Sequence, residues 1–189
     1  MRWTVPNILT VLRIALIPVL MLVYYLPVSW SHIATTALFG LAAVTDWFDG
    51  YLARRLGQVS PFGAFLDPVA DKLMVVVALV MLVQTYPSLW FVLPATVITG
   101  REIAISALRE WMAEIGERAQ VAVSVIGKIK TTAQMAALLL LLYREPLWGL
   151  PTREIGFLLL YVAAILTLWS MVIYLRAAWP LLSASGDGR

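Results

Sequence analysis

DWFDGYLARRLGQVSPFGAFLDPVADK, residues 46–72, sets four aspartates, Asp46, Asp49, Asp67 and Asp71, inside one of the most apolar parts of a very apolar chain. They are the only aspartates before Asp187. Taking an ionised carboxylate toward a bilayer is expensive, so acids clustered in such surroundings mark a functional site. Their spacing says how they are gathered. Asp46, Asp49, Gly50 and Ala53 stand at i, i+3, i+4 and i+7, one face of a helix, with Arg54 one step further round. Gly63, Asp67 and Asp71 stand at i, i+4 and i+8, one face of the next. Two neighbouring helices can therefore turn two carboxylates each into a shared cleft.

Four bare carboxylates in one cleft repel one another and take up protons. Hard divalent cations with oxygen ligands would keep them ionised. No histidine or cysteine stands nearby, which favours two Mg2+ or Mn2+ ions over zinc. Two such ions about 3.5–4 Å apart clamp a phosphoryl group for in-line displacement. Gly50, Ala53 and Gly63 leave room on the same faces for a bulky ligand, and the planar fork of Arg54 suits a phosphate.

Working outward, 61% of the 189 residues are hydrophobic, far above a soluble domain. A crossing needs about 20 apolar residues, so the chain has room for roughly six helices and no separate soluble domain. Apolar stretches fall at 7–26, 32–51, 63–85, 90–113, 121–143 and 155–174. Pro27, Gly57 with Pro61, Pro87, Gly116 and the run from Pro146 to Pro151 separate them. The expected architecture is an all-α integral membrane protein of six transmembrane helices, one domain over 1–182, with a short polar tail at 183–189. The first apolar run has no cleavage site after it and reads as a retained span. The absence of cysteine removes disulfides and thiolate metal sites.

Charge is segregated along this pattern. Twelve basic residues, among them Arg2, Arg13, Arg54, Arg55, Lys72, Arg101, Arg109, Arg118, Lys128 and Lys130, fall on one side. Arg144 and Arg153 fall on the other, beside Glu145 and Glu154. By the positive-inside rule both termini and the aspartate cleft face the cytoplasm, where a basic surface suits anionic headgroups. Arg55, Lys72 and Arg118 read as interfacial anchors. The single histidine, His32, lies at the outer end of the second span, away from the acids. The PTREI segment at 151–155 reads as an outer polar loop.

The pattern Asp46-x-x-Asp49-Gly50-x-x-Ala53-Arg54, eight residues, Gly63-x-x-x-Asp67-x-x-x-Asp71 resembles the full signature of the CDP-alcohol phosphatidyltransferases. PNILTVLR at the start, REIAISALREWMA and GKIKTTAQM resemble the bacterial branch of that family that uses sn-glycerol 3-phosphate as acceptor. The resemblance implies transfer of a phosphatidyl group from CDP-diacylglycerol to glycerol 3-phosphate, giving phosphatidylglycerol phosphate and CMP. It implies that Asp46, Asp49, Asp67 and Asp71 are metal ligands and that Asp71 is also the general base. Asp49, Gly50, Ala53, Arg54 and Gly63 would bind CDP-diacylglycerol. It further implies a homodimer in the bacterial inner membrane among membrane lipids, and no nucleic-acid partner.

The acceptor brings a dianionic phosphate, which needs basic side chains apart from Arg54. The resemblance favours Arg101 and Arg109, eight apart on one helix face, and Lys130 as its ligands, and Thr10 and Arg13, on one side of the first helix, are expected to bind the acceptor with them. Glu102 lies about 100° round the helix from Arg101 and is expected to leave it unpaired. Two other classes of function compete: an ion-coupled transporter with proton-relaying acids, and a cation-binding scaffold. Broken helices and inverted repeats, the usual marks of midplane transporters, are not evident. A scaffold leaves the basic residues of the fourth and fifth helices unexplained.

Overall fold

The computed structural model describes residues 5–56, 61–114 and 125–184. It contains six α-helices: α1 (Val5–Tyr25), α2 (Ser31–Leu56), α3 (Pro61–Thr85), α4 (Leu89–Glu114), α5 (Val125–Tyr143) and α6 (Thr152–Ala184). The expected apolar stretches thus become helices, with boundaries set by local chemistry. α1 stops ahead of Pro27. α3 opens on Pro61, whose missing N–H costs nothing in a first turn. α4 begins where Phe91 and Val92 donate backbone bonds to the Ser88 carbonyl. α6 starts at Thr152 and runs 33 residues, with Glu154 in its first turn near the positive end of the dipole.

That start corrects the reading of PTREI as a loop. Thr152 donates its hydroxyl to the Glu145 carbonyl at 2.7 Å, which ties the turn down and lets the helix begin at once. The preceding Leu147–Leu150 corner is a tight turn. Trp148 and Gly149 both have positive φ, 52° and 80°, and Leu150 donates to the Leu147 carbonyl at 2.9 Å. Positive φ at both central positions is the geometry of a two-residue reverse turn, for which Gly is suited. At the far end, α6 carries through Ser183 and Ala184, two residues into the expected tail.

α5 packs most extensively on α6, and α1 on α2 and α3, while α2 and α5 close the gap between the two groups. The core is formed by Leu20, Phe39, Leu79, Leu82, Phe91, Ile98, Leu138, Leu141, Leu142 and Leu160. Small residues set the close approaches: Ala42 of α2 and Ala137 of α5 are buried, and a Cβ on Gly156 of α6 would come within 2.8 Å of Leu141 Cγ. Just past the end of α3, Tyr86 donates to the Leu141 carbonyl at 3.1 Å and packs on Phe91 and Phe157. Burial pushes its phenol above the ordinary value.

The outside is apolar as well. Leu22, Val80, Trp90, Ile103, Leu158 and Trp169 are all exposed, which a protein in water rarely tolerates on this scale. Three segments are long and apolar enough to cross a bilayer: Asn7–Tyr25, Leu89–Met112 and Thr152–Arg176. α2 and α3 carry the aspartates and α5 carries two lysines near its start, so these helices pay in hydropathy for chemistry.

Candidate active site

α1 gathers the acids. Arg13, only 2% exposed, donates from one nitrogen, Nη1, to Asp46 Oδ1 at 2.7 Å and to Asp71 Oδ1 at 2.5 Å. A single donor reaching both oxygens draws the carboxylates of α2 and α3 toward one another. One turn earlier, fully buried Thr10 donates its hydroxyl to Asp67 Oδ1 at 2.5 Å. The Asp46 and Asp71 side chains remain 43% and 47% exposed, so the acids line an accessible cleft. The expected convergence of two helix faces is therefore visible for three of the four aspartates.

The donor set is all oxygen, as a hard divalent cation requires. Among the described residues, which leave out the Asp49 side chain, no three acids surround a single point, and Arg13 bonds both Asp46 and Asp71. Asp49, Gly50, Ala53 and Arg54 belong to α2 and Arg109 to α4, but their side-chain surroundings lie outside the described residues, as do those of Arg55 and Arg118. Gly63 is buried in the first turn of α3.

A second polar tier crosses α4, α5 and α6. Glu102 Oε1 accepts from Arg101 Nη1 and from Lys130 Nζ, each at 3.0 Å. Arg101 also donates to Ser170 Oγ at 3.2 Å and lies over the Tyr174 ring, 5.7 Å from its centre. These three charged side chains are at most 17% exposed. The expectation that Glu102 leaves Arg101 unpaired is corrected here: both side chains are long and flexible, and they curl to meet although their Cα–Cβ bonds diverge. Lys130 completes the group from the neighbouring helix.

Sequence reasoning also passed over Lys72, read as an anchor. It donates to Ser106 on α4, and Ser106 in turn donates to the Glu102 carbonyl at 2.5 Å. Its position directly after Asp71 was the available signal. His32 is distant from both tiers, set edge-on to Tyr143 and 3.5 Å from Glu145.

The tiers share one cavity of about 780 Å³. Its polar part is lined by Arg13, Asp46, Asp71, Lys72, Glu102 and Lys130, three cations and three anions. It continues between α2 and α5 along Phe39, Gly40, Ala43, Met135, Ala136 and Leu139. A ligand filling it would meet charge at one end and hydrocarbon at the other. Thr10 and Arg101 stand behind the wall, and Arg13 and Lys130 form part of it.

The acid signature on two adjacent helices of an all-helical, outwardly apolar protein is that of a recognisable class. A family model described as CDP-alcohol phosphatidyltransferase matches residues 3–169, and the chain belongs to that family. Among curated relatives it is 57% identical over 178 residues to the CDP-diacylglycerol–glycerol-3-phosphate 3-phosphatidyltransferases of Escherichia coli (strain K12) and Shigella flexneri serotype 5b (strain 8401). The match covers 94% of this chain and 96% of each relative.

Proposed function

We propose that this protein transfers a phosphatidyl group from CDP-diacylglycerol to sn-glycerol 3-phosphate, forming phosphatidylglycerol phosphate and CMP. The observation that carries the reading is the shared cavity, in which a carboxylate tier and a basic tier meet at the head of an apolar groove. High identity over nearly the whole length of relatives bearing that activity in their names supports the same substrate pair.

Asp46, Asp49, Asp67 and Asp71 would hold two divalent cations, Mg2+ or Mn2+, which when bound neutralise the pyrophosphate and the CMP leaving group. Gly50, Ala53, Arg54 and Gly63 would receive the nucleotide end of the donor. A hydroxyl of glycerol 3-phosphate attacks the phosphatidyl phosphorus, the bond to the CMP oxygen breaks, and the hydroxyl proton passes to Asp71. Asp71 suits this role because its carboxylate is half exposed to the cleft while Arg13 orients it. Arg101, Arg109 and Lys130 would bind the acceptor phosphate, with Thr10 and Arg13 ordering the acids beside it. Glu102 would hold Arg101 and Lys130 in register.

In this reading all six helices cross the inner membrane of a bacterium, with both termini and the mouth of the cavity on the cytoplasmic side. Lipid tails then stay in the bilayer while the water-soluble acceptor arrives from the cytosol. The protein would act as a homodimer. Detergent-purified protein should release CMP from CDP-diacylglycerol with glycerol 3-phosphate, and fail to do so with serine, inositol phosphate or phosphatidylglycerol, or in chelator. A different preferred acceptor would overturn the acceptor pocket, and no CMP with any acceptor would overturn the enzyme reading.

A further inference from the structure

Gln134 stands on α5 one turn beyond Lys130, lines the same cavity and is only 6% exposed. Its Oε1 is buried without a hydrogen-bond partner. A buried primary amide is normally satisfied, and one that lines a cavity with no protein partner among the described residues calls for a ligand atom at its accessible end. Its position says which kind. Toward the start of α5 the cavity is charged, where Lys130 meets Glu102. Toward the end of α5 the lining residues are Met135, Ala136 and Leu139, faced by Phe39 of α2, and none is polar. Gln134 is the last polar side chain before the hydrocarbon part.

Four residues along an α-helix rise about 6 Å, so a ligand running along this wall meets charge with Thr131 and Thr132, then one amide, then only apolar surface. A glycerophospholipid has that order of groups: a phosphate, ester carbonyls a few bonds away, then alkyl chains. An ester carbonyl only accepts hydrogen bonds. With Oε1 enclosed in the wall, Nε2 is the end of the amide left to meet the cavity, and it is a donor.

We infer that Gln134 donates a hydrogen bond to an ester carbonyl of the lipid donor and thereby selects ester-linked over ether-linked lipid. This rests on the reading that CDP-diacylglycerol occupies the cavity. The amide fixes how deep the lipid sits, and so where its phosphorus lies relative to Asp71. Removing the carbonyl oxygen, as an ether does, leaves the amide buried and unpaired.

The test compares CDP-diacylglycerol with a CDP-dialkylglycerol of the same chain length, using the full chain in mixed micelles with glycerol 3-phosphate and Mg2+. The wild-type protein should show a KM about tenfold lower for the ester donor, the scale of one lost buried hydrogen bond. Gln134→Leu should erase most of that difference by weakening the ester donor, with the KM for glycerol 3-phosphate little changed. Gln134→Met, a closer match in volume, should do the same if the Leu variant folds poorly. Equal KM values for the two donors in the wild-type protein would overturn the inference while leaving the enzyme reading intact. So would variants that weaken both donors equally. Absence of CMP release from either donor would instead overturn the enzyme reading beneath it.

Discussion

Glu102→Ala tests whether the basic tier is one electrostatic unit. Glu102 Oε1 holds Arg101 and Lys130 at 3.0 Å each, and the three side chains are 17%, 10% and 9% exposed. Removing the carboxylate leaves two cations side by side with little water to separate them. Breaking a buried ion pair from one side costs about 3–5 kcal/mol. Arg101 keeps Ser170 as an acceptor and Tyr174 as a ring partner, which argues for the lower end, about 3 kcal/mol. For a chain of this length that corresponds to a fall in Tm of roughly 6–12 °C.

A dianion can refill the gap, and this separates an electrostatic cause from lost packing. Glycerol 3-phosphate added in chelator should raise the Tm of Glu102→Ala by more than it raises that of the wild-type protein, because the variant gains a counter-charge it lacks. Glu102→Gln, which keeps an acceptor oxygen and loses the charge, should fall between the two. The double change Glu102→Ala with Lys130→Ala should cost less than the separate effects added together, since removing both partners leaves one unpaired cation instead of two. Thermal unfolding in detergent followed by tryptophan fluorescence reads all of these. An unchanged Tm in Glu102→Ala, or the same ligand-induced rise in both proteins, would refute the reasoning.

Asp71→Asn should abolish CMP release while the protein keeps its wild-type Tm within a few degrees; turnover near the wild-type rate would remove Asp71 as the base. Arg13→Ala should lower stability in chelator by about 1–2 kcal/mol, discounted because the two carboxylates it bridges are nearly half exposed. Mg2+ should then restore more stability to that variant than to the wild-type protein, measured as the difference in Tm with and without metal. Gly156→Ala should destabilise by about 1–3 kcal/mol, because the added Cβ meets the branch point of the fully buried Leu141 at 2.8 Å. A Tm shift below 2 °C there would mean, at roughly 2–4 °C per kcal/mol, that α5 and α6 separate easily.

The spacing of Asp46, Gly63, Asp67 and Asp71 was legible because helical periodicity and the charge cost of an apolar setting both act along the chain. Breakers were equally informative: Pro27, Pro61 and Pro87 fall at or beside helix ends. Contacts that depend on how far a side chain bends were not. Nothing in the order Arg101-Glu102 says that Glu102 also meets Lys130, since that needs the placement of α5 beside α4. The assignment of Arg13 had the same weakness. Read as an acceptor ligand on charge alone, it is found on Asp46 and Asp71, because α1 packs on both α2 and α3 and brings the nearest carboxylates within its reach. Gln134 gave no signal, as a glutamine in an apolar helix is informative only when its burial and its lack of a partner are known.

Among the described residues the polar wall of the cavity carries three cations and three anions, and this pairing bears on how the proposed substrates bind. Without ligands, Arg13 partly offsets Asp46 and Asp71, and Glu102 partly offsets Lys130 and Arg101, so each tier keeps some internal compensation in an apolar surround. Divalent cations entering the acid tier would compete with Arg13 for the same oxygens, and an acceptor phosphate would compete with Glu102 for the same nitrogens. In that reading each ligand would displace an internal surrogate of its own charge instead of entering an empty field. Binding affinity is lowered by the strength of those internal pairs, and in return the chain folds without its ligands. Tight binding of either ligand would then come with release of a protein ion pair, which links the stability of the free protein to the affinity of the site.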